Sequence, residues 1–234
     1  MAEPHDKQGH GLHRAAANRG PSSMRPALLA FVLGCCAVSC AMAEDRLEPC
    51  GSSLPEYERR VEAITQEAMP GVVEFWVLVI PSFTPEMSVG VSVDNGRFLL
   101  TRVVLDQSFW HSSWVEVGPN TVRNDPSKGH ARGVAKTTII SAELHSALRT
   151  EWERSINGAR PSESKTLILD GESYIFRFPG RCASASSPES ATRNGKLVDL
   201  VYALGRLAGG GKTANARTEA PVLRQLGEIG PLID

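Results

Sequence analysis

The chain has 234 residues, of which 41% are hydrophobic, 22% charged and 6% aromatic, and its formal net charge at pH 7 is −1. These proportions are typical of a globular chain and exclude a disordered or fibrous one. Residues 1–43 hold four basic and two acidic residues, so the remainder has 21 basic and 24 acidic residues, a net charge of −3. This balance, without a basic stripe, predicts no nucleic-acid partner and no polybasic contact with anionic lipid.

An export signal is predicted at Met24–Ala43. Its one basic residue, Arg25, precedes an uncharged apolar run that ends in small residues at Ala41 and Ala43. A basic start, an apolar core and an Ala-x-Ala ending are the features that signal peptidase requires. The mature, functional protein is therefore expected to begin after this signal.

The sequence leaves the start and the processing of this signal open. Residues 1–23 form a polar leader, which favours Met24 over Met1 as the true start. The apolar run is about long enough to span a bilayer as an uncleaved anchor. Cys35 and Cys40 each end a segment that loosely resembles a bacterial lipobox, so lipidation at either cysteine is a further alternative. Membrane association is expected only through such an anchor.

Two cysteines, Cys50 and Cys182, follow the signal. A lone pair of cysteines in an oxidising compartment is more often a disulfide than two reactive thiols. We therefore predict a Cys50–Cys182 disulfide that ties the mature N-terminus to the end of a late strand. Because the closed loop is long, the chain-entropy estimate of its contribution is about 4 to 5 kcal/mol.

The exported part is predicted to begin with one helix and one buried strand. Ser53–Glu56 reads as a capping box, apolar residues then recur at helical spacing, and Met69–Gly71 ends the helix. Val72–Ile80 is almost entirely apolar and rich in β-branched and aromatic residues. Such a strand is expected to be covered on both faces and to lie centrally in its sheet.

More strands are predicted in the middle of the chain. Met87–Val104 is expected to form a hairpin that turns at Asp94–Gly96, because Asn-Gly tolerates positive φ in a type I′ turn. Trp110–Val117 reads as a further strand and Gly118–Gly133, with its glycines and prolines, as a loop. Ala131–Ile139 then returns to the sheet.

The last third is predicted to contain two helices and a second hairpin. Ser141 caps a helix that ends at Asn157–Gly158. Thr166–Phe178 is expected to form a hairpin that turns at Asp170–Gly171. After the polar stretch Ala183–Arg193, Lys196–Leu207 presents one apolar side and ends in glycines, which predicts a third helix.

This order of elements favours an α+β fold. We expect an antiparallel sheet with two hairpins and about three helices packed mainly on one face, rather than alternating βαβ units. Residues 44–211 are predicted to form a single domain, and residues 212–234, which have few apolar anchors, a flexible tail.

A helix Trp and an LDGxxYxF hairpin form a pattern over about a third of the chain, carried by Ala142, Leu144, Leu148, Trp152, the run Leu169–Phe176, Leu197, Val198, Leu200 and Leu204. This pattern resembles that of a group of small exported or lipid-anchored proteins of Gram-negative bacteria. The resemblance implies a location in the periplasm or cell envelope and a fold, and it implies no activity.

Several kinds of site are disfavoured by the sequence. Gly205–Thr213 looks like a phosphate loop, but it lacks the first glycine of the motif and closes a predicted helix instead of opening one. The histidines that follow the signal, His111, His130 and His145, lie on different predicted elements, as exposed or loop residues, so no zinc site and no cofactor are expected. No Gly-x-Ser-x-Gly elbow marks a hydrolase, although a site assembled in space from His111 or His130 stays an alternative.

Aromatic residues concentrate in Phe109–Trp114. Strand alternation would send Trp110 and Trp114 to one side and Phe109 and His111 to the other, so one group would face outward unless helices and the loop cover both sides. Trp and Tyr dominate the energetics of interfaces. The leading hypothesis is therefore a non-enzymatic envelope protein that binds a toxin, an envelope component or another secreted protein. Trp110, His111 and Trp114, with the neighbouring loop Gly118–Gly133, are expected to form the binding surface. The alternatives are an envelope hydrolase and a structural or stress-related domain.

Overall fold

The computed structural model describes residues 46–51, 55–161 and 171–232. They form nine strands and five helices, with a 3₁₀ turn at Pro126–Lys128. In chain order the elements are β1 (Glu48–Pro49), α1 (Glu56–Glu67), β2 (Val72–Pro81), β3 (Met87–Asp94), β4 (Arg97–Leu105), α2 (Phe109–Ser112), β5 (Trp114–Gly118), β6 (Thr121–Asn124), β7 (Gly133–Ile140), α3 (Ala142–Asn157), β8 (Glu172–Phe178), β9 (Arg181–Ser186), α4 (Arg193–Gly209) and α5 (Ala216–Glu228).

Seven strands form one antiparallel sheet in the order β1-β9-β8-β2-β3-β4-β7. β2 is the fourth strand of the seven, so the prediction that the apolar run Val72–Ile80 is central and covered on both faces is confirmed. β5 and β6 form a separate two-stranded sheet. The α+β class with a large antiparallel sheet is therefore confirmed.

Helices cover both faces of the sheet, and not mainly one as the sequence predicted. α3, α4 and α5 contribute to the larger core, in which residues such as Phe75, Leu148 and Leu200 are buried. α1 lies on the opposite face, where Val61 and Phe109 pack with residues of the sheet. The apolar spacing of α1 indicated a buried side, but spacing within one helix does not say which face of a sheet the helix covers.

The first predicted hairpin is confirmed, and the second is formed by different strands. β3 and β4 turn at Asn95 and Gly96, whose φ angles of +50° and +75° suit a type I′ turn. β8, however, pairs with β2 on one side and with β9 on the other, and the β8–β9 turn uses Gly180 at φ +71°. The predicted partner strand at Thr166–Leu169 lies outside the described residues.

Strand β9 was not predicted because its sequence reads as a polar stretch. Its residues alternate between Ser or Cys and the small apolar Ala183 and Ala185, and both alanines are buried in the larger core. Alanine and serine have little β-propensity, so pairing with β8 and β1, and not composition, identifies this segment as a strand.

The prediction of a flexible tail is wrong for Ala216–Glu228, which forms α5. Asn215 and Thr218 make a capping box at its start, and Val222 is buried against the core. Glu219 is also buried and binds Ser141 at the start of α3, accepting hydrogen bonds from its backbone N–H (2.9 Å) and its hydroxyl (2.5 Å). α5 has only two buried residues, which explains why its sequence showed few apolar anchors.

The predictions for α3 and α4 are confirmed, with α4 longer than expected. The Ser141 hydroxyl accepts the Leu144 N–H and caps α3. α4 begins at Arg193 and ends at Gly209, with Gly210 as its C-cap, so the glycine-rich segment closes a helix as predicted.

The predicted disulfide joins Cys50 and Cys182, whose Cα atoms are 5.6 Å apart. It lies beside β1, the short strand that pairs with β9 at one edge of the sheet. The predicted signal at Met24–Ala43 and the capping residue Ser53 lie outside the described residues. Among the helices that the structure describes, none combines the length and apolar character of a membrane span.

Candidate functional site

The segment that contains the predicted binding residues is one helical turn followed by a strand, not a continuous strand. α2 occupies Phe109–Ser112 and β5 starts at Trp114. Helical spacing places residues four apart on one side, so Phe109 and Ser113 are buried together while Trp110 and His111 face outward. The prediction that side chains alternate between two sides along a strand is therefore wrong here. The segment is rich in aromatic residues, as strands often are, but it forms a helical turn.

A buried carboxylate holds this turn in place. Glu86, which precedes β3, accepts the backbone N–H of Phe109 at 2.8 Å and that of Trp110 at 3.3 Å. It also accepts the hydroxyl of Tyr57 from α1. Phe109 is only 1% exposed and packs with Tyr57 at a ring-centroid distance of 5.7 Å. The turn is thus anchored from α1, from the start of β3 and from the core.

The three predicted binding residues lie on the outer side of the anchored turn. Trp110 is 43% exposed and Trp114 is 47% exposed, and His111 is also exposed. Trp110 meets Tyr57 edge-to-face at a centroid distance of 5.5 Å, and His111 meets Trp114 in the same way at 5.4 Å. We call Trp110, His111 and Trp114 the aromatic patch. It offers two partly exposed indole rings to a partner.

The segment Gly118–Gly133, predicted as a loop, is partly regular and packs against the patch. It contains β6 and the 3₁₀ turn. The Asn124 side-chain amide donates to the Trp110 carbonyl at 3.1 Å, and the Asp125 N–H donates to the Ser113 carbonyl at 2.8 Å. Gly129 lies over the Phe109 ring, since a Cβ atom added there would lie 2.2 Å from the ring edge. These contacts hold the loop against α2.

The surface continues from the patch onto the small sheet, on a face that carries both apolar and polar residues. In the β5–β6 pairing Trp114 lies opposite Asn124, and Glu116 lies opposite Val122. Because alternate residues of paired strands share a face, Trp114 and Val122 lie on one face, and Val122 is 53% exposed.

Two pKa shifts accompany the anchoring contacts. Burial, together with the hydrogen bond and the negative charge of Glu86, raises the pKa of Tyr57. The Tyr57 hydroxyl therefore stays protonated and able to donate. The hydrogen bond from the Ser127 hydroxyl lowers the pKa of the partly exposed Asp125, with smaller contributions from Arg123 and Lys128. The patch is thus bordered by a carboxylate that stays ionised.

No protein-family model, curated protein or solved structure matches this chain. The resemblance to small exported proteins of Gram-negative bacteria therefore stays a prediction.

In the part of the chain that the structure describes, neither His111 nor His130 forms a hydrogen bond or ion pair with a carboxylate, as the hydrolase alternative would require. The His111 ring contacts that of Trp114, and the His130 ring lies 3.5 Å from the Lys128 carbonyl. The histidine that meets a carboxylate is His145, which is partly buried and not exposed as predicted. Its Nε2 lies 2.6 Å from Glu74, and no described hydroxyl is hydrogen-bonded to its ring. Within the described ranges, no group of three or more His, Cys, Asp or Glu residues is arranged to hold a metal.

A second polar cluster was not predicted from the sequence. The hydroxyls of Tyr174 and Tyr202 both donate to Oε2 of Glu172, at 2.7 Å for Tyr202. Burial, and after it the hydrogen bonds with Glu172 and Tyr202, raises the pKa of Tyr174, and burial is the largest cause of the raised pKa of Tyr202. The i, i+2 spacing of Glu172 and Tyr174 on a strand was the signal for part of it. Through these hydrogen bonds, Glu172 and Tyr174 of β8 are joined to Tyr202 of α4.

Proposed function

We propose that this chain is an exported cell-envelope protein that binds another macromolecule, an envelope component or a toxin, through the aromatic patch. The observation that carries the proposal is the exposure of two tryptophans on a turn that the protein anchors firmly. Large aromatic side chains on a rigid support lose little conformational entropy when they bind, which is why they form interface hot spots.

Two features support a binding role over a merely structural one. Glu86 and Phe109 fix the patch from beneath, yet Trp110 and Trp114 themselves leave almost half of their surface uncovered. Large aromatic groups that stay exposed on an anchored turn leave apolar surface available to a partner, and exposed apolar patches mark interaction sites. Export is supported by the sequence of Met24–Ala43 and by the Cys50–Cys182 disulfide, which suits an oxidising compartment.

The test is a crosslinking pull-down of the tagged chain, expressed from Met24 in a Gram-negative host, from periplasmic and membrane fractions. Trp110→Ala and Trp114→Ala are compared with Phe83→Ala, which removes an aromatic ring that is 76% exposed at a different place, the β2–β3 connection. We expect one stoichiometric partner that the tryptophan variants lose and the Phe83 variant keeps, with melting temperatures close to that of the parent. Capture that is equal for all variants, or no partner in any fraction, contradicts the proposal.

A further inference from the structure

The two edges of the large sheet differ in how they are closed. At one edge β1 pairs with β9, places Pro49 in the edge strand and is followed by the disulfide at Cys50. At the other edge β7 pairs with β4 along its whole length. Among residues 46–51, 55–161 and 171–232, a second neighbour of β7 is found only at its end, where the segment that leads into α5 pairs with Ile139.

That second neighbour shows how β7 accepts an added strand. The Ile139 N–H donates to the Lys212 carbonyl at 3.1 Å, and the Ala214 N–H donates to the Ile139 carbonyl at 2.8 Å, in parallel orientation. Since backbone groups alternate in direction along a strand, the N–H and C=O groups of Ala135 and Thr137 point the same way as those of Ile139.

No backbone group in the described part of the chain pairs with these outward groups of Ala135 and Thr137. Val134, Ala135 and Lys136 are all exposed, whereas Gly133 and Thr137 at the two ends of this stretch are partly buried. An uncovered edge of this kind is a template for an added strand. We call residues 133–137 of β7 the open edge.

Positive charge is concentrated beside the open edge. Arg102 of β4 and Lys136 of β7 lie directly opposite each other. Both side chains run over α4, because a Cβ atom added at Gly205 would lie 3.3 Å from Arg102 Cδ and one added at Gly209 would lie 3.9 Å from Lys136 Cδ. Arg206, next to Gly205 on α4, is exposed as well.

These three cations, with Lys212 beside the end of β7, form no ion pair with any residue that the structure describes. Like charges directly opposite on paired strands are unfavourable. A single lysine would suffice to keep the edge from aggregating. Arg102, directly opposite Lys136, adds charge repulsion and is not needed to prevent aggregation at the edge. An acidic partner would relieve this repulsion.

We propose that the open edge binds an extended acidic segment of another protein, which adds to β7 as an eighth strand. The backbone groups of Ala135 and Thr137 would supply the pairing, and Arg102, Lys136 and Lys212 would select acidic side chains. A folded acidic protein or a nucleic acid could contact the positive side chains, but it would not form hydrogen bonds with the outward backbone groups of Ala135 and Thr137. This surface is distinct from the aromatic patch, and the inference does not depend on it.

The test measures peptide binding to the purified full chain by fluorescence anisotropy. The probes are two labelled peptides of about eight residues that alternate Val with Glu or Val with Lys, a length typical of one strand. We expect the Glu peptide to bind at least about tenfold more tightly than the Lys peptide and to weaken as salt is raised. Lys136→Glu should lower its affinity about tenfold, whereas Arg160→Glu, the same charge change at the β1 edge, should leave it unchanged.

Hydrogen exchange on the same complex distinguishes strand addition from simple charge attraction. We expect the amides of Ala135 and Thr137 to become protected when the Glu peptide is present. Equal binding of both peptides, or binding without protection of these amides, overturns the proposal. Displacement of the peptide by a single-stranded oligonucleotide would also overturn the proposal, because the surface would then bind nucleic acid. Self-association that Lys136→Glu abolishes would overturn it as well, because the edge would then pair with a second copy of the chain.

Discussion

Tyr57 of α1 donates its hydroxyl to the buried carboxylate of Glu86, and the same carboxylate accepts the N–H groups that begin the turn carrying Trp110. One side chain therefore links the helix on one face of the sheet to the aromatic patch. The support of the patch depends on a residue 53 positions earlier in the sequence than Trp110.

This link predicts a particular sensitivity to alkaline pH. The pKa of Tyr57 is higher in the folded state than its value of about 10 in the unfolded chain. The protonated Tyr57 hydroxyl therefore stabilises the folded state fully below about pH 10, and this stabilisation is lost as the pH rises above that value. Tyr57→Phe removes this titration and should make the free energy of unfolding fall less steeply above about pH 10. Tyr174 and Tyr202 also have raised pKa values, so part of the alkaline loss should remain.

Urea unfolding of the parent and of Tyr57→Phe at several alkaline pH values checks this prediction. At neutral pH the variant should be less stable by about 1.5 to 3 kcal/mol, the usual contribution of a hydrogen bond to a charged group. Identical pH slopes for the two proteins would show that the Tyr57 hydroxyl does not titrate as a buried donor to Glu86.

A buried ion pair between α3 and α4 should be costly to break. The side chains of Glu151 and Arg193 are 4% and 5% exposed, and Ser155 bonds to both, accepting from Arg193 at 3.0 Å and donating to Glu151 at 2.9 Å. Arg193→Met should lower the free energy of unfolding by about 3 to 5 kcal/mol, because it leaves a carboxylate buried without its main counter-charge. Urea denaturation measures this loss.

The same carboxylate provides a matched control. Arg154 also pairs with Glu151, but its side chain is 41% exposed, so Arg154→Ala should cost at most about 1 kcal/mol. Replacing both Glu151 and Arg193 by Met should restore much of the stability, since no charge is then left buried. Equal losses for the Arg154 and Arg193 variants would argue against this explanation.

The attachment of α5 should depend on Glu219. Its buried carboxylate binds the N–H and hydroxyl of Ser141, which join α5 to the start of α3. Glu219→Ala should lower the free energy of unfolding by about 2 to 3 kcal/mol and increase hydrogen exchange along α5 more than elsewhere. Glu228→Ala, an exposed change on the same helix, should do neither. Exchange that rises equally throughout the protein would mean that α5 does not open as a separate unit.

Removal of the disulfide should destabilise the fold strongly. Cys50 and Cys182 are 132 residues apart in sequence, and a loop of this length corresponds to a contribution of about 5 kcal/mol in the chain-entropy model. The double variant Cys50→Ser/Cys182→Ser should therefore unfold at a much lower urea concentration than the oxidised parent. The reduced parent should match the variant; a reduced parent as stable as the oxidised one would contradict the prediction.

The sequence alone predicted those turns, caps and helices that are stabilised by contacts between residues close together in the chain. The Asn95-Gly96 turn, the Ser141 cap and the apolar side of α4 each depend on contacts within a few residues, so spacing and residue type identified them. The central position of β2 also followed from composition, because a strand that is apolar on both sides must be covered on both faces. The candidate binding residues were found in the same way, as a concentration of aromatic side chains.

Tertiary contacts alone decided the remaining features. Residues 109–112 become a helical turn because Glu86, more than 20 positions away, accepts its first N–H groups. β9 is a strand because β8 supplies its partner, and α5 is held by Glu219 and Ser141 across 78 positions. The open edge of β7 also exists only in the assembled sheet, since strand order cannot be read from local sequence. Each of these depends on a partner distant in the chain, which residue spacing does not encode.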